Sequence, residues 1–165
     1  MAVSDRMTTI DLFKAVQGSD IAIAFGNAPL VFGIAAQLFH ISGIVLILTP
    51  TLLVALRIAG TGLVDYSAAQ LERKSRVYVA TGLLFVVFSG LFMLIPSATL
   101  YQPNPAFQLK LILLPVALAF HYGFLARIAK EEFSQKWLAK IIALFMALLW
   151  FAVGMAGRAI GFLAA

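Results

Sequence analysis

Cysteine is missing from this chain, and acidic residues are few: seven Asp and Glu stand against twelve Lys and Arg in 165 residues. Without a thiol there is no disulfide, thiolate metal site, iron–sulfur cluster or thiol redox chemistry. Charge of either sign makes up only 12% of residues, where a soluble globular domain carries about a quarter. The carboxylates also avoid every long apolar run, lying instead at Asp5, Asp11, Asp20, Asp65, Glu72, Glu131 and Glu132. A proton path built from acidic groups inside those runs is therefore not expected. Met1 to Asp20 has no compact apolar core with a small-residue cleavage site, so no cleaved signal peptide is expected. Repeats and low-complexity tracts are absent, and one domain, 1–165, accounts for the chain.

What is present is apolar. Hydrophobic residues make up 62% of the chain, and its mean hydropathy is +1.00. A hydrocarbon core of about 30 Å takes about 20 helical residues to cross. Four stretches are long enough: 29–56, 77–100, 109–126 and 138–162. The expected fold is all-α, an integral membrane up-down-up-down four-helix bundle. Ahead of it, in segment 1–28, Met7, Ile10, Phe13 and Val16 recur at three-residue spacing, as in a short interfacial helix lying on the bilayer. Ser19-Asp20 reads as a helix cap, and Gly26-Asn27-Ala28-Pro29 as a break.

The net charge of +5 could suggest nucleic acid, but the basic residues cluster in short connections rather than on one polar face. Topology explains them better than a nucleic-acid partner, and none is expected. Arg57, Arg73, Lys74 and Arg76 lie in the first connection, and Arg127, Lys130, Lys136 and Lys140 in or beside the third. The opposite side has Arg6, Lys14, Lys110 and Arg158. The positive-inside rule then places the chain in the bacterial inner (cytoplasmic) membrane with both termini periplasmic.

Both histidines of the chain, His40 and His121, fall inside these runs. An ionisable group in hydrocarbon is costly and implies function by default. Each lies eleven residues, ~16 Å, from the outer start of its run, counted from Pro29 and from Lys110. That count puts the two imidazoles at one depth. Counted from the inner ends they differ, with seventeen residues to Arg57 against six to Arg127.

The positions three, four and seven from His40 include Gly33, Ala36 and Gly43, and Gly82, Ser89, Gly90, Gly154, Gly157 and Gly161 supply more small residues. Small residues allow close helix contact, and they leave room for a flat macrocycle. A haem b ligated by His40 and His121 fits the pattern, with Lys110 and Arg158 as propionate partners. Such a protein would transfer single electrons, with a quinone or a redox-partner subunit as candidate partners, and it could also form a homodimer. Its regions outside the bilayer are too small to carry substrate chemistry, so catalysis by this chain alone is not expected. Two other readings stay open. One is a cofactor-free structural or assembly subunit whose histidines only join helices. The other is a small metal-handling transporter, with Met93, Met146 and Met155 as soft ligands. Pro50, Pro96 and Pro115 can kink their helices.

Several motifs resemble one family of small bacterial four-helix membrane proteins without an established activity. They are Pro29 before His40-x-x-Gly43, Leu56-Arg57-x-x-Gly60, Asn104-Pro105-Ala106-Phe107 followed by Lys110, and Gly157-Arg158. The resemblance covers nearly the whole chain and implies the same architecture. Its analogues by fold are the four-helix b-type cytochromes and the copper-resistance D-type membrane domain. Family members often carry an acidic residue just before the Leu-Arg, where this chain has Ala55.

Overall fold

The computed structural model describes residues 8–63, 65–130 and 136–163. Asp5, Arg6, Met7 and the Glu131–Glu132 pair lie outside the described residues. The elements are α1 (Thr9–Gln17), α2 (Asp20–Gly26), α3 (Leu30–Ala59), α4 (Ala68–Leu94), a 3₁₀ turn (Ile95–Ser97), α5 (Ala98–Tyr101) and α6 (Pro105–Phe120). A π turn (His121–Leu125), α7 (Ala126–Lys130) and α8 (Lys136–Leu163) complete the chain. No strand occurs among the described residues. Four continuous helical stretches, Leu30–Ala59, Ala68–Tyr101, Pro105–Ala129 and Trp137–Leu163, are long and apolar enough to cross a membrane.

Local chemistry sets the helix ends. Thr8 and Asp11 form a reciprocal capping box at α1, and Ser67 and Gln70 form another at α4. The second box starts α4 nine residues before the apolar run at Val77, which brings Glu72 into the helix. Asn104 Oδ1 accepts from the amides of Ala106 and Phe107 at 3.0 and 3.3 Å, opening α6, while its Nδ2 donates to the Ile160 carbonyl on α8 at 3.2 Å. Gly60 ends α3 with φ +79°, a left-handed cap that glycine adopts without strain.

The side chains that pack inward recur every three and four residues. On α3 the buried set includes Ala36, His40, Gly43, Ile47, Pro50 and Val54, and on α4 it is Glu72, Ser75, Val79, Gly82, Val86 and Ser89. That 3.5-residue period is the seam of helices packed at a shallow angle. α3 and α4 run antiparallel, Gly43 crossing Gly82 while His40 meets Ser89. α8 closes the group with Ala143, Met146, Trp150 and Val153 buried. The outward faces are apolar instead of polar, with Leu30, Phe32, Val77, Phe88, Ile112 and Phe162 each more than half exposed. A soluble monomer does not present such a surface, whereas a bilayer would cover it.

α1 and α2 dock on the end of the bundle where α3 begins and α8 finishes, called here the terminal end. The opposite end, with the Gly60–Ser67 connection and the start of α8, is the loop end. The Gln17 side-chain oxygen accepts from the Thr99 amide and hydroxyl at 2.8 and 2.7 Å. Phe13 meets Phe107 edge-on at 6.3 Å, and Phe25 lies tilted against Phe92 at 4.7 Å. The apolar residue Phe13 of α1 is therefore used against protein.

The hydrogen bonds from Thr8 hold the exposed Asp11 carboxyl below its ordinary range. A depressed folded value stabilises the helix above the ordinary carboxylate range, and the benefit is lost as pH falls through the depressed value. We expect α1 to lose helicity on acidification into that range, read as a fall in amide protection, relative to the intrinsic exchange rate at each pH, at Leu12 and Phe13. In Asp11→Asn the pH dependence should vanish.

Candidate functional site

A cavity of about 750 Å³ opens in the terminal half of the bundle, within the range of small-molecule and cofactor sites of roughly 300–1,000 Å³. Its walls are apolar, from Ile41, Ile44, Val86, Leu111 and Leu114 among others. The polar groups that reach it are Gln37, His40, Tyr101, Lys110 and Arg158, with no carboxylate among the described residues that line it. The chamber thus has an apolar body and a cationic rim.

At its centre His40 is held by both ring nitrogens. The Ser89 hydroxyl donates to the Phe85 carbonyl one turn back, so its oxygen is left to accept from His40 Nδ1–H at 2.9 Å. That network assigns the Nδ1–H tautomer and leaves the Nε2 lone pair facing the cavity. Lys110 Nζ donates to Nε2 at 3.0 Å. Two glycines flank the pair. A Cβ at Gly90 would lie 3.4 Å from His40 Cε1, and one at Gly157 would lie 3.0 Å from Lys110 Nζ. Arg158 is exposed at the mouth, its guanidinium over the Phe162 ring at 5.0 Å.

His121 is elsewhere. It opens the π turn, is 5% exposed, and lies 6.1 Å edge-on from the Trp150 ring. Its charged neighbours are Glu72 and Arg76 near the start of α4. His40 meets α4 at Ser89, thirteen residues beyond Arg76, or ~20 Å along the helix. Two nitrogens sharing one metal ion stand about 4 Å apart, since each bond is about 2 Å. The expectation that His40 and His121 face each other at one depth is therefore corrected. Pro29 does not mark a common outer boundary, because the start of α3 overhangs α6 by about five residues: His40, eleven after Pro29, meets Lys110, six into α6. The inner-end count, seventeen residues against six, had the right order.

Three of the four residues singled out by sequence, His40, Lys110 and Arg158, line one cavity, and His121 does not. Sequence reasoning missed Glu72, which is 4% exposed inside a spanning helix and pairs with Arg76 at 2.8 Å. A carboxylate four residues before an arginine, at the head of the 72-75-79-82-86-89 seam, was the available signal. Among the described residues no group of three or more His, Asp and Glu is placed to hold a bare metal ion. Met93 lines the cavity, Met146 is core and Met155 is exposed, so the three methionines do not converge. Comparison with protein-family models, with characterised proteins and with solved structures yields no match.

Proposed function

We propose that this chain is a multi-pass membrane protein that binds one haem b in the terminal-end cavity, with His40 as the protein's ligand to iron, and that it takes part in one-electron transfer. The observation that carries this reading is the joint placement of an outward-facing Nε2 lone pair, two cations and an apolar chamber of adequate volume. Haem b uses all three. Iron takes a neutral imidazole, the macrocycle fills apolar walls, and two carboxylates need cationic partners. When bound, the group supplies reversible iron redox chemistry.

The protein's own residues prepare that site. Ser89 fixes the imidazole tautomer and ring orientation, as outer-sphere partners of ligating histidines commonly do. Lys110 covers Nε2, and its flexible stem lets the ammonium leave a neutral nitrogen for a carboxylate, the stronger partner. Arg158 offers a second, bidentate-capable cation at the mouth. A haem held here would take His40 alone of the two histidines. The basic loop end would face the cytoplasm and the cavity the periplasmic half of the inner membrane, within reach of quinone or a periplasmic redox partner.

Colour tests it. Protein purified from a haem-replete host should show a Soret band that His40→Ala abolishes and His121→Ala leaves in place. Loss of the band in both variants would restore a two-histidine site. Colourless wild-type protein would sink the haem reading, and mass spectrometry of what the same sample releases into organic solvent would then show whether another carboxylate-bearing amphiphile fills the chamber.

A further inference from the structure

Three buried side-chain atoms among the described residues have no hydrogen-bond partner: Glu72 Oε2, His121 Nδ1 and Trp150 Nε1. They belong to side chains gathered toward the loop end: His121 on the π turn lies against Trp150 of α8, and Glu72 is on α4, which packs against α7 directly after that turn. Each residue is at least 95% buried. Buried polar atoms are partnered in the great majority of cases, and each orphan carries an uncompensated desolvation cost. Three in one place share a cause.

Their chemistry is complementary to one ligand. Trp150 Nε1–H can only donate, the Glu72 carboxylate oxygen can only accept, and His121 Nδ1 can do either. A water molecule accepts from the indole, donates to the carboxylate, and still has a donor or acceptor for the imidazole. A cation would leave the indole unsatisfied, and an anion would be repelled by Glu72. The route from solvent is short: Arg76, whose other end holds Glu72, is 45% exposed along its side chain.

We propose that Glu72, His121 and Trp150 form a hydrated proton-exchange site, holding water inside the spanning region and linking His121 to the aqueous phase at the loop end. Hydronium delivers a proton to the imidazole and leaves water bound, and the reverse step returns it. The charged groups facing His121 are Glu72 and Arg76 from α4, Trp150 is what α8 presents, and Tyr122 is its neighbour on the turn. The π turn gives the site its shape, because one wide turn places His121 and its neighbours off the regular helical ladder, as such turns do at functional sites.

The test reads Trp150 alone, in full-length Trp137→Phe protein in lipid nanodiscs transferred to D₂O. In a hydrated site the Trp150 indole N–H exchanges within minutes, and filling the site in His121→Phe or in Glu72→Leu slows it at least about tenfold. In the same sample with labelled histidine, the His121 imidazole changes charge state between mildly acidic and mildly alkaline buffer. An indole N–H that survives for hours in the unfilled protein overturns the proposal. So does exchange that neither filling variant slows, or an imidazole of constant charge.

Discussion

Gly82→Leu should dismantle the bundle. A Cβ at Gly82 would fall 2.6 Å from the Gly43 carbonyl oxygen and 2.8 Å from Ile47 Cγ1, and a Cβ at Gly43 would fall 2.7 Å from the Gly82 carbonyl oxygen. The two carbonyl oxygens are backbone, so no rotamer change relieves those clashes, and α3 and α4 would have to move apart along their whole seam. Forced overpacking costs about 1–3 kcal/mol where side chains can yield, and at least the top of that range is expected here. In a membrane this crossing is held by close van der Waals contact without a hydrophobic drive between helices, which makes the loss harder to recover. Thermal unfolding in mild detergent, followed by size exclusion, measures it. Gly33→Leu is the control. Gly33 is exposed, a Cβ there meets nothing within 4 Å, and the melting should stay within about 0.5 kcal/mol of the parent protein. Equal melting of the two variants would mean that the glycine crossing does not hold the bundle.

The second large effect is expected at Lys110→Glu. The substitution removes the cation that a carboxylate-bearing occupant would meet, and puts a negative charge in its place. A charge-assisted hydrogen bond contributes about 1.5–3 kcal/mol. Repulsion between two carboxylates in a largely apolar chamber adds a comparable amount. The sum of about 3–6 kcal/mol corresponds to roughly a hundred- to ten-thousand-fold loss of affinity at 1.4 kcal/mol per decade. Titration of haem into apoprotein, followed at the Soret band, gives that number. Lys110→Met should fall in between, since it loses the attraction without the repulsion. Arg158→Gln should cost least, as its guanidinium is exposed and already shared with Phe162. If Lys110→Glu binds haem like the parent protein, propionates do not meet Lys110 and the cavity is not the haem site.

The four long helices were legible in the sequence because span length is a local property: an uninterrupted apolar run of sufficient length forms its own backbone hydrogen bonds wherever it sits. Caps were legible for the same reason. Ser19 and Asn104 act on amides two or three residues away, and the break at Gly26-Asn27-Ala28-Pro29 lies where expected. The small residues foretold close contact, and Gly43 and Gly82 provide it, though Gly33 and Gly161 touch nothing. Apolar runs are poor markers of helix ends, however. Polar first turns such as that of α4 are invisible to hydropathy, and Glu72 was counted as a loop residue for that reason.

By itself, then, the sequence determined that four helices long enough to cross a membrane form, that thiol chemistry is excluded, and that His40, His121, Lys110 and Arg158 needed a reason to be where they are. Only the tertiary structure decided which of them meet. Axial register between helices has no local signal, because a helix can slide past its neighbour by a full turn of 5.4 Å without altering its own hydrogen bonds. Non-local contacts fix it instead: Gly43 locked against Gly82, His40 against Ser89, and Asn104 against the end of α8. That register carries His40 to Lys110 and the cavity, and His121 to Glu72 and Trp150 at the other end.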